Sequence, residues 1–146
     1  MTAVHIVLGV AVIGVNLAAG LYGAIAWWRW FVPPGFWPLL RTGQALVMIE
    51  AVDGAILVIT GKELPELHLI YGLLPLGVSF FAEQLRITAA ETVLANRGLE
   101  GRKDVERLAR AEQQDLVRVI VRREIGVMAA SAVVVALLGV RAAGGL

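Results

Sequence analysis

Charge in this chain is gathered into one stretch, Glu83 to Glu124, and the sequence on either side is almost bare of it. That partition limits what the chain can fold into. Uncharged runs such as Val4 to Trp28 can cross roughly 30 Å of hydrocarbon, which takes about 20 apolar residues of helix. In lipid a spanning segment must satisfy its own backbone, so long apolar runs of this kind are helices. A hydrophobic content of 58% also exceeds what ordinary soluble domains carry.

Four spans are expected, at about 4–28, 36–60, 66–86 and 125–143, giving one domain over 1–146. The fold class is all-α, an integral membrane four-helix bundle. Arg29 and the Pro33-Pro34-Gly35 turn end the first span, and Gly61 ends the second. Ala18-Ala19-Gly20 offers small residues for signal cleavage, yet Met1 to His5 holds no basic residue, so the first helix is read as retained. Between the third and fourth spans, about 87–124 forms a helical hairpin. Asn96-Arg97-Gly98 and Gly101 make its turn, with Val93 and Leu94 facing Val105 and Leu108 across it.

Lys and Arg set the orientation. With that hairpin in the cytoplasm, Arg29, Arg41, Arg86 and the hairpin's basic residues fall inside, and only Lys62 and Arg141 fall outside. The chain then belongs in a bacterial cytoplasmic (inner) membrane with both termini extracytoplasmic. Trp27, Trp28, Trp30 and Trp37 gather at the inner interface, where amphipathic rings settle.

The first and third helices match at a constant offset of 63 residues. His5, Gly9, Gly14-Val15-Asn16 and Ala19 meet His68, Gly72, Gly77-Val78-Ser79 and Ala82. Both helices run outside to inside, so the two histidines are expected at one depth near the outer surface. His5, Gly9, Val12, Asn16, Gly20, Gly23 and Trp27 form one stripe of the first helix. His68, Gly72, Pro75, Ser79 and Ala82 form the matching stripe of the third. Small and polar residues in membrane helices face protein, so both histidines are expected to point into the bundle.

Neutral imidazole ligates haem iron, copper or zinc. Diagonal helices of a bundle lie about 11–14 Å apart, room for a flat macrocycle between two imidazoles with a glycine one turn from each. The His-x-x-x-Gly pair resembles the four-helix membrane b-type cytochromes. That resemblance implies haem b on His5 and His68, with Gly9 and Gly72 clearing its faces, and electron transfer with a membrane redox partner or quinone. A two-histidine copper or zinc site completed by Glu66 is a further reading. The same histidines would also serve as polar anchors at the interface.

The second helix carries Glu50 and Asp53 inside its span. Ionisable groups at that depth suggest function. Their spacing sets them about 60° apart on the helix, and two carboxylates so close do not both ionise in low dielectric. They are expected to act as a proton relay or polar core with Asn16, Ser79 or Ser131, or to serve a proton- or ion-coupled transporter. Asp53 is also a candidate to orient a histidine through its second ring nitrogen, although counting along the spans sets it about five residues deeper than either. Arg41 is expected to snorkel to the inner surface, and Glu83, Gln84 and Arg86 to form an ordinary helix-end cluster.

Other classes drop out. There is no cysteine, which removes disulfides, thiolate metal sites and iron–sulfur clusters. A net charge of +1 leaves no basic face for nucleic acid. No hydrolase, phosphate-loop or metalloprotease motif is present, so the chain is expected not to be an enzyme. The lipid bilayer is its first partner, a homodimer is a further expectation, and a membrane anchor or assembly subunit is the non-catalytic alternative.

Overall fold

The computed structural model describes residues 2–63 and 65–144, and every regular element among them is helical. Five helices follow in order: α1 (Ala3–Arg29), α2 (Phe36–Ile59), α3 (Glu66–Asn96), α4 (Arg102–Arg107) and α5 (Arg110–Ala142). Their ends have local causes. Thr2 caps α1 by accepting from the His5 N–H at 3.2 Å. Trp30 closes α1 in the left-handed region at φ 59°, and Gly35 opens α2 at φ 79° after the proline pair. Gly61, at φ 83°, ends α2 and lets Lys62 N–H bond back to the Leu57 carbonyl.

Three of the helices, α1, α2 and α5, are long and apolar enough to cross a membrane. The third expected span, 66–86 within α3, is not among them. Only Leu69 to Ala82 separates His68 from Glu83, about 21 Å of helix against roughly 30 Å of hydrocarbon.

Helix α5 lies along both α1 and α3, and α1 lies along α2, while α2 and α3 touch only sparsely. Lipid is as apolar as leucine, so close fit holds such helices together more than water exclusion does. Glycines supply that fit. A Cβ on Gly20 would lie 2.6 Å from Val133 Cγ2, and one on Gly23 would lie 2.5 Å from Phe36 Cε2 and 2.7 Å from Ala129 Cβ. Around them Ala19, Ala26, Phe36, Leu40, Ile125 and Met128 form one buried cluster, and Val12, Val47 and Val135 form a second nearer the histidines. The outer faces are apolar too. Val7 and Val10 on α1, Val52 and Ile56 on α2, and Phe80 and Phe81 on α3 are all exposed.

At the charged end, the helix-end residues do more than cap. Glu83 pairs with Arg41 of α2 and with Arg86 at 3.1 Å, and accepts from Gln44 at 3.0 Å. Arg86 also reaches Glu124 of α5 at 3.8 Å and stacks over Trp37. One network therefore ties α2, α3 and α5, and Arg41 is held in it. Arg122 packs over Trp27 and Trp30 and donates to the Trp27 carbonyl at 3.0 Å. The expected hairpin is broken rather than continuous. Leu108 and Ala109 are extended, because Glu112 caps the Ala109 N–H and Gln113 donates to the Val105 and Leu108 carbonyls.

Candidate functional site

The ends of four helices meet opposite the charged end: the starts of α1 and α3 and the finishes of α2 and α5. His5, only 6% exposed, sits among them. Its Nδ1 lies 2.9 Å from Asp53 Oδ2 and 3.4 Å from Glu50 Oε1. Its Nε2 faces the Nε2 of His68 at 3.4 Å, with ring centroids 5.7 Å apart and planes tilted by 56°. His68 Nδ1 lies 2.9 Å from the Ala142 carbonyl oxygen.

Hydrogen-bond roles follow from these partners. A carbonyl oxygen can only accept, so His68 donates through Nδ1. Where the Asp53 carboxylate is the acceptor, His5 likewise donates through Nδ1. The two Nε2 atoms then face each other at 3.4 Å as acceptors, an arrangement that a positive species between them, a proton or a metal ion, relieves. The 3.4 Å found is a long hydrogen bond, N–H donors normally lying about 2.7–3.2 Å from an oxygen acceptor. Bonds of about 2.0–2.1 Å to a tetrahedral ion set neighbouring nitrogens about 3.3 Å apart. A carboxylate or backbone carbonyl on the second ring nitrogen is also the usual support for a metal-ligating histidine. Here one histidine has each kind.

The haem expected between the histidines is the weaker match. A haem held by the two imidazoles would need them on opposite faces of a flat ring. His5 and His68 instead approach to 3.4 Å between their Nε2 atoms, with their rings tilted by 56°. Protein expressed with a haem precursor is therefore expected to lack the sharp reduced α and β bands of low-spin haem b. Their appearance, and their loss in His5→Ala, would reinstate the macrocycle.

The other expected site residues are distributed unevenly. Glu50 and Asp53 join the histidines, and with His5 they offer ligand atoms within 4.8 Å of one another. Glu66 is not part of that group. Asn16 lies apart, donating to the Val12 and Gly43 carbonyls, and Ser131 bonds to the Met128 carbonyl. Neither is the carboxylate partner expected of it. Gly9 makes room for a carboxylate rather than for a ring, since a Cβ there would lie 3.3 Å from Glu50 Oε1. Gly72 faces open space.

That space is a cavity of about 560 Å³ with contributions from α1, α2, α3 and α5. Its polar lining includes His5, Glu50, His68 and Tyr71, and Arg141 lies over the Tyr71 ring at 5.3 Å. Sequence reasoning missed the Ala142 carbonyl, which no residue type could announce. It also missed Gly54, where a Cβ would come within 3.6 Å of the His5 ring. The chain matches no protein-family model, no curated protein and no solved structure.

Proposed function

We propose that this chain is a small multi-pass protein of the cytoplasmic membrane that binds a transition-metal ion at its outer side through His5 Nε2 and His68 Nε2. The observation carrying this reading is the 3.4 Å approach of the two nitrogens while each Nδ1 is engaged by an acceptor. Asp53 orients His5 and offsets positive charge, and the Ala142 carbonyl fixes His68. Imidazole ligands with a nearby carboxylate suit zinc, copper or nickel of the first row. Such an ion, when bound, supplies Lewis acidity or redox capacity at its open positions. Val12 and Val47, buried below the site, close it toward the inner half, so the site reads as a holding site rather than a pore.

On this reading the bundle has four spans, one more than the three helices that are long and apolar enough by themselves. α3 serves as the fourth span because its polar residues His68 and Tyr71 face the cavity while Ile70, Phe80 and Phe81 face outward. Hydropathy alone undervalues a helix of that kind. The distribution of Lys and Arg supports a cytoplasmic α3–α5 connection and both termini outside.

Calorimetry of tag-free protein in lipid nanodiscs tests the binding. One Zn²⁺ per chain is expected, with weaker binding as pH falls because the ligating nitrogens must be free of protons. No saturable uptake of Zn²⁺, Cu²⁺ or Ni²⁺ near neutral pH would reject the reading and return the histidine–carboxylate chain to proton exchange.

A further inference from the structure

We infer that the charged-end tips of α1 and α5 hold the phosphate of an anionic phospholipid headgroup, with Arg122 as its fixed anchor and Arg29 and Arg118 as flanking charges. This goes beyond the metal reading and needs only that α1 and α5 cross a bilayer, as their length and hydropathy allow. Several residues build the anchor. Gly126 lets the Trp27 ring lie against α5, since a Cβ there would be 2.8 Å from Trp27 Cδ1. Trp30 is the only non-glycine at positive φ among the described residues, at 59°, a conformation with a steric cost for any residue bearing a Cβ. Both rings meet one guanidinium: Arg122 Cζ lies 4.8 Å from the Trp27 ring centroid and 3.6 Å from that of Trp30. Arg122 Nε donates to the Trp27 carbonyl at 3.0 Å. Its two terminal nitrogens are left without an acceptor among the described residues, and neither is buried. A guanidinium held still with its outer fork unpaired suits a phosphate, which it binds through two parallel hydrogen bonds.

Charge selects an anion, and the surroundings select a lipid. No Asp or Glu precedes Glu50, so α1 and the α1–α2 turn bring no countercharge. On α5 the nearest carboxylates are already engaged, Asp115 by Arg97 at 2.7 Å and Glu124 by Arg86 at 3.8 Å. Arg118 stands one turn from Arg122 on the same face of α5, and Arg29 follows Trp27 at the end of α1. Both are exposed, and neither has a carboxylate partner among the described residues. By contrast Arg41 and Arg86, at the same end of the bundle, are committed to Glu83. Beside Arg122, Trp28 is 75% exposed, Trp30 57% and Val32 58%. Exposed rings of this kind settle where headgroups meet acyl chains. A soluble anion would use the arginines and leave that surface in water, whereas a phospholipid covers it with its chains. In phosphatidylcholine the choline cation offsets the phosphate and meets the same arginines, so an anionic headgroup is preferred.

The test places full-length protein, with EDTA present, in vesicles of phosphatidylcholine and phosphatidylglycerol in which one lipid or the other carries brominated chains. Quenching of tryptophan fluorescence then reads which lipid sits beside the rings. Every tryptophan of the chain lies between Trp27 and Trp37, so the signal reports this end of the bundle. A preference for phosphatidylglycerol of at least about five-fold is expected, the contribution of one basic side chain near an anionic surface. Arg122→Gln is expected to bring the two lipids near parity. Arg118→Gln, at an exposed position, is expected to fold and to lower the preference by about two-fold or more. Arg110→Gln, exposed at the far start of α5, removes the same charge away from the tryptophans and is expected to change nothing. Should Arg122→Gln lose its helical circular dichroism, Arg118→Gln decides alone, and an undiminished preference there overturns the inference. Equal quenching by the two brominated lipids in the unaltered protein would overturn it too. So would an undiminished preference in a folded Arg122→Gln, an equal loss in Arg110→Gln, or displacement of phosphatidylglycerol by millimolar inorganic phosphate.

Discussion

His5→Ala and His68→Ala are each expected to lower Zn²⁺ affinity at least about 100-fold, because each removes one of the two facing nitrogens. The remaining imidazole would hold the ion alone, and two-point chelation is lost. Asp53→Asn is expected to cost about 10–100-fold, the usual range for a supporting partner. It keeps the size of the side chain but removes the negative charge 2.9 Å from His5 Nδ1. Glu50→Gln is expected to change affinity less, since Glu50 lies farther from Nδ1 at 3.4 Å. The order of the four variants separates ligation from folding, provided circular dichroism shows each one helical. Equal losses in all four would point to general damage at this end of the bundle, and unchanged affinity in both alanine variants would place the ion elsewhere.

Gly23→Leu is expected to destabilise the bundle more than any single change at the histidine site. The first atom of any side chain there meets Phe36 at 2.5 Å and Ala129 at 2.7 Å. Phe36 is fully buried and Ala129 almost so, so neither can step aside without moving α2 or α5. Overpacking of this kind typically costs about 1–3 kcal/mol, occasionally more. Gly23→Ala should fall in that range and Gly23→Leu beyond it. Gly14→Ala, where a Cβ meets nothing within 4 Å, serves as the neutral control. Thermal unfolding in matched detergent gives the order: Gly14→Ala near the unaltered protein, Gly23→Ala lower, Gly23→Leu lowest. A Gly23→Ala variant as stable as Gly14→Ala would mean that α1 and α5 pack less closely than described.

Much of the site was legible because it rests on helix periodicity. The shared spacing behind His5 and His68 sets both on inward stripes near helix starts, and the stripe through Val12, Asn16, Gly20 and Gly23 is the buried face of α1. Depth was harder to read. Counting along apolar runs sets Asp53 well below His5, yet the two are hydrogen-bonded. His5 is the third residue of α1 and Asp53 the seventh from the end of α2, so the helix ends are staggered, and hydropathy carries no signal for stagger. Gly9 and Gly54 allow the approach, although in the sequence they are indistinguishable from glycines that serve helix packing alone.

Two further departures have definite causes. α3 is too polar for a lone span because it carries residues lining the cavity and a carboxylate, Glu83, that ties three helices together. The break before α5 arises from Glu112 and Gln113, whose side chains bond to the backbone at Ala109, Val105 and Leu108. Helix propensity for each residue separately does not register that competition.

X-ray absorption at the zinc edge of metal-loaded, tag-free protein tests the central claim most directly. With only two histidines in the chain, the outer-shell scattering of imidazole rings can be counted. Two imidazole nitrogens at about 2.0–2.1 Å are expected in the unaltered protein, falling to one in His68→Ala. A first shell of oxygen alone, without imidazole scattering, would contradict a metal held between His5 and His68.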